Sequence, residues 1–195
     1  MAVMNAYMDI RETTINECPL SEIAKSMTNK SLDLRELDRP IALDADNVKG
    51  CPIEGNGGHW SGERGNSDWY PDKEALLPRY NPENITWGEA LDKHGIDHIS
   101  FKEGEPDFSE IAQGTVEIDD FTDSRRKNFM QADEKLAEAR GCSPDEIKQW
   151  REENGYTWHE CSDCKTMQLV PSEIHNNVAH TGGISEMKKT NEMDR

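Results

Sequence analysis

Three histidines, His159, His175 and His180, fall within about two dozen residues, and Glu160 stands beside the first of them. Neutral imidazoles bind divalent metal ions, and a neighbouring carboxylate can act as a further ligand or take a proton. These residues lie in the stretch Y-T-W-H-E-C-S-D-C-K-T-M-Q-L-V-P-S-E-I-H-N-N-V-A-H-T-G-G, Tyr156–Gly183. Its pattern predicts a short strand ending in Trp158-His159-Glu160, a tight polar turn through Cys161–Lys165 and a second strand over Thr166–Val170. Pro171 and Ser172 then open a short helix that Gly182-Gly183 stops. Two small strands and one short helix converge three imidazoles on a single point only if something occupies that point, and a divalent metal is the usual occupant.

Spacing constrains how that can happen. Adjacent residues on a regular strand face opposite ways, so only one of His159 and Glu160 can face a given ion. His175 and His180 lie five residues apart, about 140° around an ideal helix, and do not share a face. They reach one ion only if the helix unwinds near His180, which Thr181-Gly182-Gly183 permits.

The segments W-H-E, M-Q-L-V-P and H-N-N-V-A-H-T-G-G resemble the signature of WHH-type nucleases. That group is a branch of the HNH/endonuclease VII (His-Me finger) enzymes found as toxin domains at the C-termini of bacterial polymorphic toxins. Upstream, W-S-G-E-R-G-N-S-D-W-Y-P-D (Trp60–Asp72), G-E-P-D-F-S (Gly104–Ser109) and S-R-R-K-N-F (Ser124–Phe129) resemble segments that precede this core. The similarity spans roughly residues 55–185. It implies an α+β fold: a mainly helical domain with short strands and a C-terminal ββα-metal core. It also implies a metal-dependent endonuclease used in bacterial competition, with a cognate immunity protein as partner. Carried over residue by residue, it makes His159, His175 and His180 metal ligands. The family pattern is Trp-His-His, however, and Glu160 stands where the second histidine, the general base, would be. Two assignments follow. Either Glu160 is the base and His159 a ligand, or His159 is the base and Glu160 a ligand; an imidazole is the better proton acceptor near neutrality. Gln168, on the second strand, is placed to hydrogen-bond the strand end and orient it.

Composition bounds this reading. A chain of 195 residues allows one domain of ordinary size with an appended segment, and 34% hydrophobic against 31% charged residues implies a modest core. The net charge of −17 is spread along the whole chain. That opposes nucleic-acid binding, in which phosphate contacts dominate affinity. A bound metal would offset it locally, and folding could gather Arg64, Arg125, Arg126 and Lys127 on one face. An acidic surface also suits a basic immunity protein. The five cysteines follow no disulfide framework, and Cys161-Ser162-Asp163-Cys164 lacks the second ligand pair of a zinc knuckle. There is no apolar run of membrane-spanning length and no signal peptide at the start. The expectation is therefore an effector delivered into a target-cell cytoplasm on a larger polypeptide or by a dedicated apparatus.

Residues 1–50 are weakly patterned, with short helices conceivable over Leu20–Met27 and Leu32–Leu37, and read as a linker or upstream delivery remnant. The nuclease domain is expected over 51–185, its ββα core at 156–183, and a flexible tail over 186–195. Glycines between Trp60, Trp69 and Tyr70 predict tight turns anchored by aromatics, with His59 a surface residue. Thr86-Trp87-Gly88-Glu89 is a capping box for a helix ending at Gly95. Ile96–Phe101 and Thr115–Ile118 alternate like paired strands, with a turn at Pro106-Asp107. A helix over Ser124–Arg140 presents Phe129, Ala132, Leu136 and Ala139 to the core, and Gly141 stops it. Arg125, Arg126 and Lys127 in its first turn oppose the helix dipole, so a phosphate or a buried carboxylate should compensate; Arg125 and Arg126 are the phosphate-binding candidates. Ser143-Pro144-Asp145-Glu146 starts another helix, with Ile147 and Trp150 facing inward.

The leading expectation is a non-specific DNase using one divalent magnesium, manganese, nickel or zinc ion. RNA is an admissible substrate for the same residues. A non-catalytic acidic interaction protein that keeps the ββα core as a metal-stabilised scaffold is the competing class.

Overall fold

A computed structural model describes residues 50–193. The linker expected over 1–50, with its two short helices, therefore lies almost wholly outside the described residues. The described chain is mixed α and β, with two small antiparallel sheets and five helices. In the first sheet β1 (Gly58–Trp60), β2 (Asp68–Pro71), β3 (Ile99–Lys102) and β4 (Glu105–Asp107) lie in that order. In the second, β7 (Thr166–Pro171) lies between β5 (Gly114–Glu117) and β6 (Tyr156–Glu160). The helices are α1 (Trp87–His94), α2 (Arg125–Arg140), α3 (Pro144–Glu153), α4 (Ser172–His175) and α5 (Gly183–Met193).

Local signals account for most of these elements. Thr86 and Ser143 each accept from the N3 backbone amide while Glu89 and Glu146 reach back, so α1 and α3 both start on complete capping boxes. Gly95 ends α1 in the left-handed conformation, φ 71°. Two expectations fail in strand pairing. The segments at 99–102 and 114–117 do not pair with each other: β3 pairs with β2 and β4, and β5 with β7. Pro106 and Asp107 form no turn; they are strand residues of β4, opposite Phe101 and Ser100. Alternation fixes which face a strand buries, but not which strand it meets.

The core has two lobes. Trp60, Trp69, Trp87, Leu91, Phe101, Phe108 and Ile111 fill the first, and Ile118, Ala132, Leu136, Ile147, Trp158, Met167 and Leu169 the second. The period of two in β7 divides it between them. Met167 and Leu169 enter the second lobe, while Val170, then Ile174 and Val178 beyond it, enter the first. The hairpin and the turn after it are thus clamped between two cores. On α2 the buried face is Asn128, Ala132, Asp133, Leu136 and Ala137, and Ala139 is exposed. Asp133 is buried because it accepts from Trp158 Nε1 at 2.8 Å and pairs with Arg151 through Nε at 3.0 Å and Nη2 at 3.1 Å. That pair ties α2, α3 and β6 together. Trp150, expected inside, is 36% exposed and packs on Tyr156 at 5.1 Å. His59 is a surface residue stacked on Tyr70.

Candidate metal centre and its cleft

The hairpin forms as its sequence predicts, β6 against β7 with His159 opposite Gln168 and Glu160 opposite Met167. The helix after it is much shorter than the glycines suggested. α4 is one turn, Ser172–His175, and the chain continues without helix from Val178 through Gly182. His175 therefore ends a helix, and His180 belongs to a non-helical segment. This local unwinding removes the 140° separation and brings both to His159. Gly182-Gly183 does not stop a helix; Gly183 begins α5, where a tail was expected from 186. These glycines serve close approach: a Cβ on Gly182 would lie 2.7 Å from the Glu160 carbonyl oxygen, and one on Gly183 would lie 2.5 Å from that of Cys161.

His159, His175 and His180 each offer a ring nitrogen such that all three atoms lie within 4.8 Å of one another. Their ring centroids are 4.9–5.3 Å apart, and Phe108 packs against all three. His159 Nδ1 stands 3.2 Å from His175 Nε2. His180 Nδ1 donates to the Val178 carbonyl at 3.0 Å, which leaves the Nε2 lone pair free. His175 Nδ1 lies 3.2 Å from Asn176 Oδ1, leaving Nε2 as its acceptor. Burial, reinforced by the neighbouring imidazoles, holds His175 well below the usual histidine range and His180 at about 4. Both rings are neutral near pH 7, the state a metal requires. Three convergent imidazoles, with Nδ1 of His175 and of His180 each engaged away from the cluster, fit one divalent ion of the borderline or transition type.

Glu160 faces the other way, as strand alternation demands. Its carboxylate is 4% exposed and accepts from Asn128 Nδ2 and from Arg125 Nε, each at 2.9 Å. The buried carboxylate that compensates the basic first turn of α2 is therefore Glu160. Both His159 and Glu160 line a cleft of about 270 Å³, with His175, His180, Arg125 and Arg79 around it. Arg126 is exposed and does not line this cleft. Gln168 shares a face with His159 but, among the described residues, its side chain makes no hydrogen bond. It lines a second, acidic cleft with Glu103, Glu105, Asp107, Cys161 and Glu186. Burial pushes the Cys161 thiol up to about 12, with Glu105 and Asp163 adding to it, so the thiol stays protonated near neutrality.

Residues 98–182 match the DNase/tRNase domain of colicin-like bacteriocins. No curated protein matches the chain. The matched span supports a nuclease toxin domain, and with it a hydrolase, and agrees with the HNH-type resemblance of the sequence. It runs from β3 through the closing histidine and contains the three imidazoles, Glu160, Arg125 and Asn128. Among the described residues no helix is long and apolar enough to cross a membrane.

Sequence reasoning missed four participants in this site and its rim. Glu105 and Phe108 were quoted in G-E-P-D-F-S without a role, and Asn128 in S-R-R-K-N-F. Arg79, in L-L-P-R-Y, carried no signal. It is set at the cleft by Asn177, whose Oδ1 accepts from the backbone amides of Arg79 at 2.7 Å and Tyr80 at 3.0 Å.

Proposed function

We propose that the cleft is the active site of a metal-dependent endonuclease, a non-specific DNase acting as a bacterial toxin effector. The observation that carries this reading is three imidazoles converging at one wall of a cleft whose rim holds two arginines. When bound by His159, His175 and His180, a divalent ion would supply Lewis acidity toward the phosphate oxygens. Arg125 and Arg79 would receive the phosphate and hold it in line for attack. Glu160 is the proton acceptor in this reading. His159 is 1% exposed, with Nδ1 against His175 and Nε2 buried on the side of Glu105, so its ring is sequestered from water in the cleft. Asn128 and Arg125 each occupy one lone pair on a Glu160 oxygen, and the remaining lone pairs can accept the proton of an attacking water. Arg125 thus has two tasks, anchoring Glu160 and contacting phosphate, and its exposed side chain, which still reaches the buried Glu160, suits both.

Delivery into a target cell by a larger toxin, and neutralisation by a basic immunity protein steered to the acidic surface, complete the proposal. The test is supercoiled-plasmid nicking by the full chain with Mg, Mn, Ni or Zn, with and without EDTA. Chelator-sensitive nicking is the expected result. Absence of nicking under every metal, together with cleavage of tRNA, would make the enzyme a ribonuclease. Absence of both, with metal still bound, would favour the scaffold reading.

A further inference from the structure

His159 Nε2 is the one buried side-chain nitrogen or oxygen without a hydrogen-bond partner among the described residues. The nearest carboxylate oxygen is Glu105 Oε1 at 3.6 Å. Glu105 comes from β4, in the other sheet, and is fixed from the hairpin turn. Its Oε1 accepts from the Ser162 amide at 2.6 Å, and its Oε2 from the Ser162 hydroxyl. Phe108, three residues on, stands edge-on to the His159 ring at 5.0 Å and 85°, which fixes the ring plane. The remaining choice is which His159 nitrogen carries the proton. With the proton on Nδ1, the ring donates to His175 Nε2, and its own Nε2 lone pair faces a carboxylate. With the proton on Nε2, it faces an acceptor, and the Nδ1 lone pair points at His175 and His180.

We propose that Glu105 is the positioning residue of the metal centre: its carboxylate accepts the His159 Nε2–H and so turns the Nδ1 lone pair toward the ion. Resting on the metal reading above, the inference adds what orients its most buried ligand. A carboxylate behind a ligating histidine fixes its tautomer and raises its basicity, and losing one costs 10–100-fold in metal affinity. The device also joins the two sheets, because Glu105 and Phe108 reach the hairpin from the first.

Two readouts on the full chain separate this inference from the metal reading. ¹⁵N ring shifts of His159 in the metal-free protein report the tautomer. Calorimetry with zinc or nickel reports affinity. The parent is expected to hold the Nε2–H form. Glu105→Gln, which keeps an acceptor for Ser162, should shift His159 toward Nδ1–H and weaken metal binding about 10–100-fold. If Glu105→Gln does not fold, Ser162→Ala should move both readouts the same way, by less. A parent in the Nδ1–H form, or a tautomer unchanged by the substitution, overturns the inference even if metal binds. A parent that binds no metal overturns the metal reading, while the tautomer still tests Glu105. A second zinc equivalent that disappears in Cys161→Ser would make Glu105, His159 and Cys161 a ligand set, and would overturn the orienting role as well.

Discussion

His159 and Glu160 are chain neighbours with opposite surroundings, and the roles proposed for them rest on that difference. His159 packs under Phe108 toward the histidine cluster, whereas Glu160 packs against α2 under Arg125 and Asn128. The sequence left open which is the base. Burial of both His159 nitrogens favours Glu160. Accordingly, Glu160→Gln should lower single-turnover plasmid cleavage roughly 10²–10⁴-fold, the usual contribution of a general base, with metal affinity kept within a few-fold. His159→Ala should abolish cleavage and metal binding together. Cleavage retained in Glu160→Gln would return the base role to another group. Full activity in His159→Ala would move the site elsewhere.

At the scale of elements, the deciding feature is the one-turn helix α4 and the open segment that follows it. Pro171 and Ser172 announced its start, but no local signal announced its end at His175. Tertiary contacts end it. Asn177 Nδ2 donates to the Tyr80 carbonyl at 2.7 Å and the Glu173 carbonyl at 2.8 Å, which pulls the turn onto the 78–80 segment. Gly182 then lies flat on the end of β6. Gly182→Ala should push 180–183 off Glu160, carry His180 out of the cluster and weaken metal binding tenfold or more, with Trp158 fluorescence unchanged. Unaltered affinity would mean that the segment accommodates a methyl group there. Asn177→Ala strips buried partners from several backbone groups and should cost on the order of 3 kcal/mol, lowering Tm by roughly 10 °C. It should also weaken duplex binding by releasing Arg79. A Tm shift below about 2 °C would show that the clamp carries little of the packing.

For the molecule as a whole, acidity and buried histidines set the working conditions. His175 and His180 are held below their unfolded range, His180 at about 4 against 6.5. Below pH 6.5 the unfolded chain binds protons that the folded chain refuses, so stability present above that pH is lost as it falls toward 4. His180 alone contributes roughly 3 kcal/mol over that window, since one pKa unit is about 1.4 kcal/mol. Glu105 adds in the same sense lower down: burial raises its pKa, but the His159 ring and Ser162 outweigh this and hold the carboxyl below its usual range. Denaturant melts between pH 7 and 4 should show this loss, and saturating metal should offset it near neutrality and release below about pH 5. A flat profile from pH 6.5 to 4 would mean that the rings already carry protons. With a net charge of −17, duplex affinity should rest on few phosphate contacts, and the double variant Arg79→Ala/Arg125→Ala should flatten its salt dependence.

The sequence by itself determined what rests on local rules. Capping boxes fixed where α1 and α3 begin, alternation fixed the hairpin of β6 and β7, and residue type nominated His159, His175, His180 and Glu160. Short-range periodicity and hydrogen-bonding capacity suffice for these. Only the tertiary structure decided the rest, because each remaining question concerned a partner distant in the chain. β3 and β5 read alike yet joined different sheets, since alternation names a buried face and not a neighbour. Trp150 lay outward because the space between α2 and β6 was already taken by Trp158, bonded to Asp133. Arg125 found Glu160 across 35 residues, and Glu105 came to His159 from another sheet. A charge or a ring nitrogen in a sequence states what it can bind; the packing of the two lobes states what it meets.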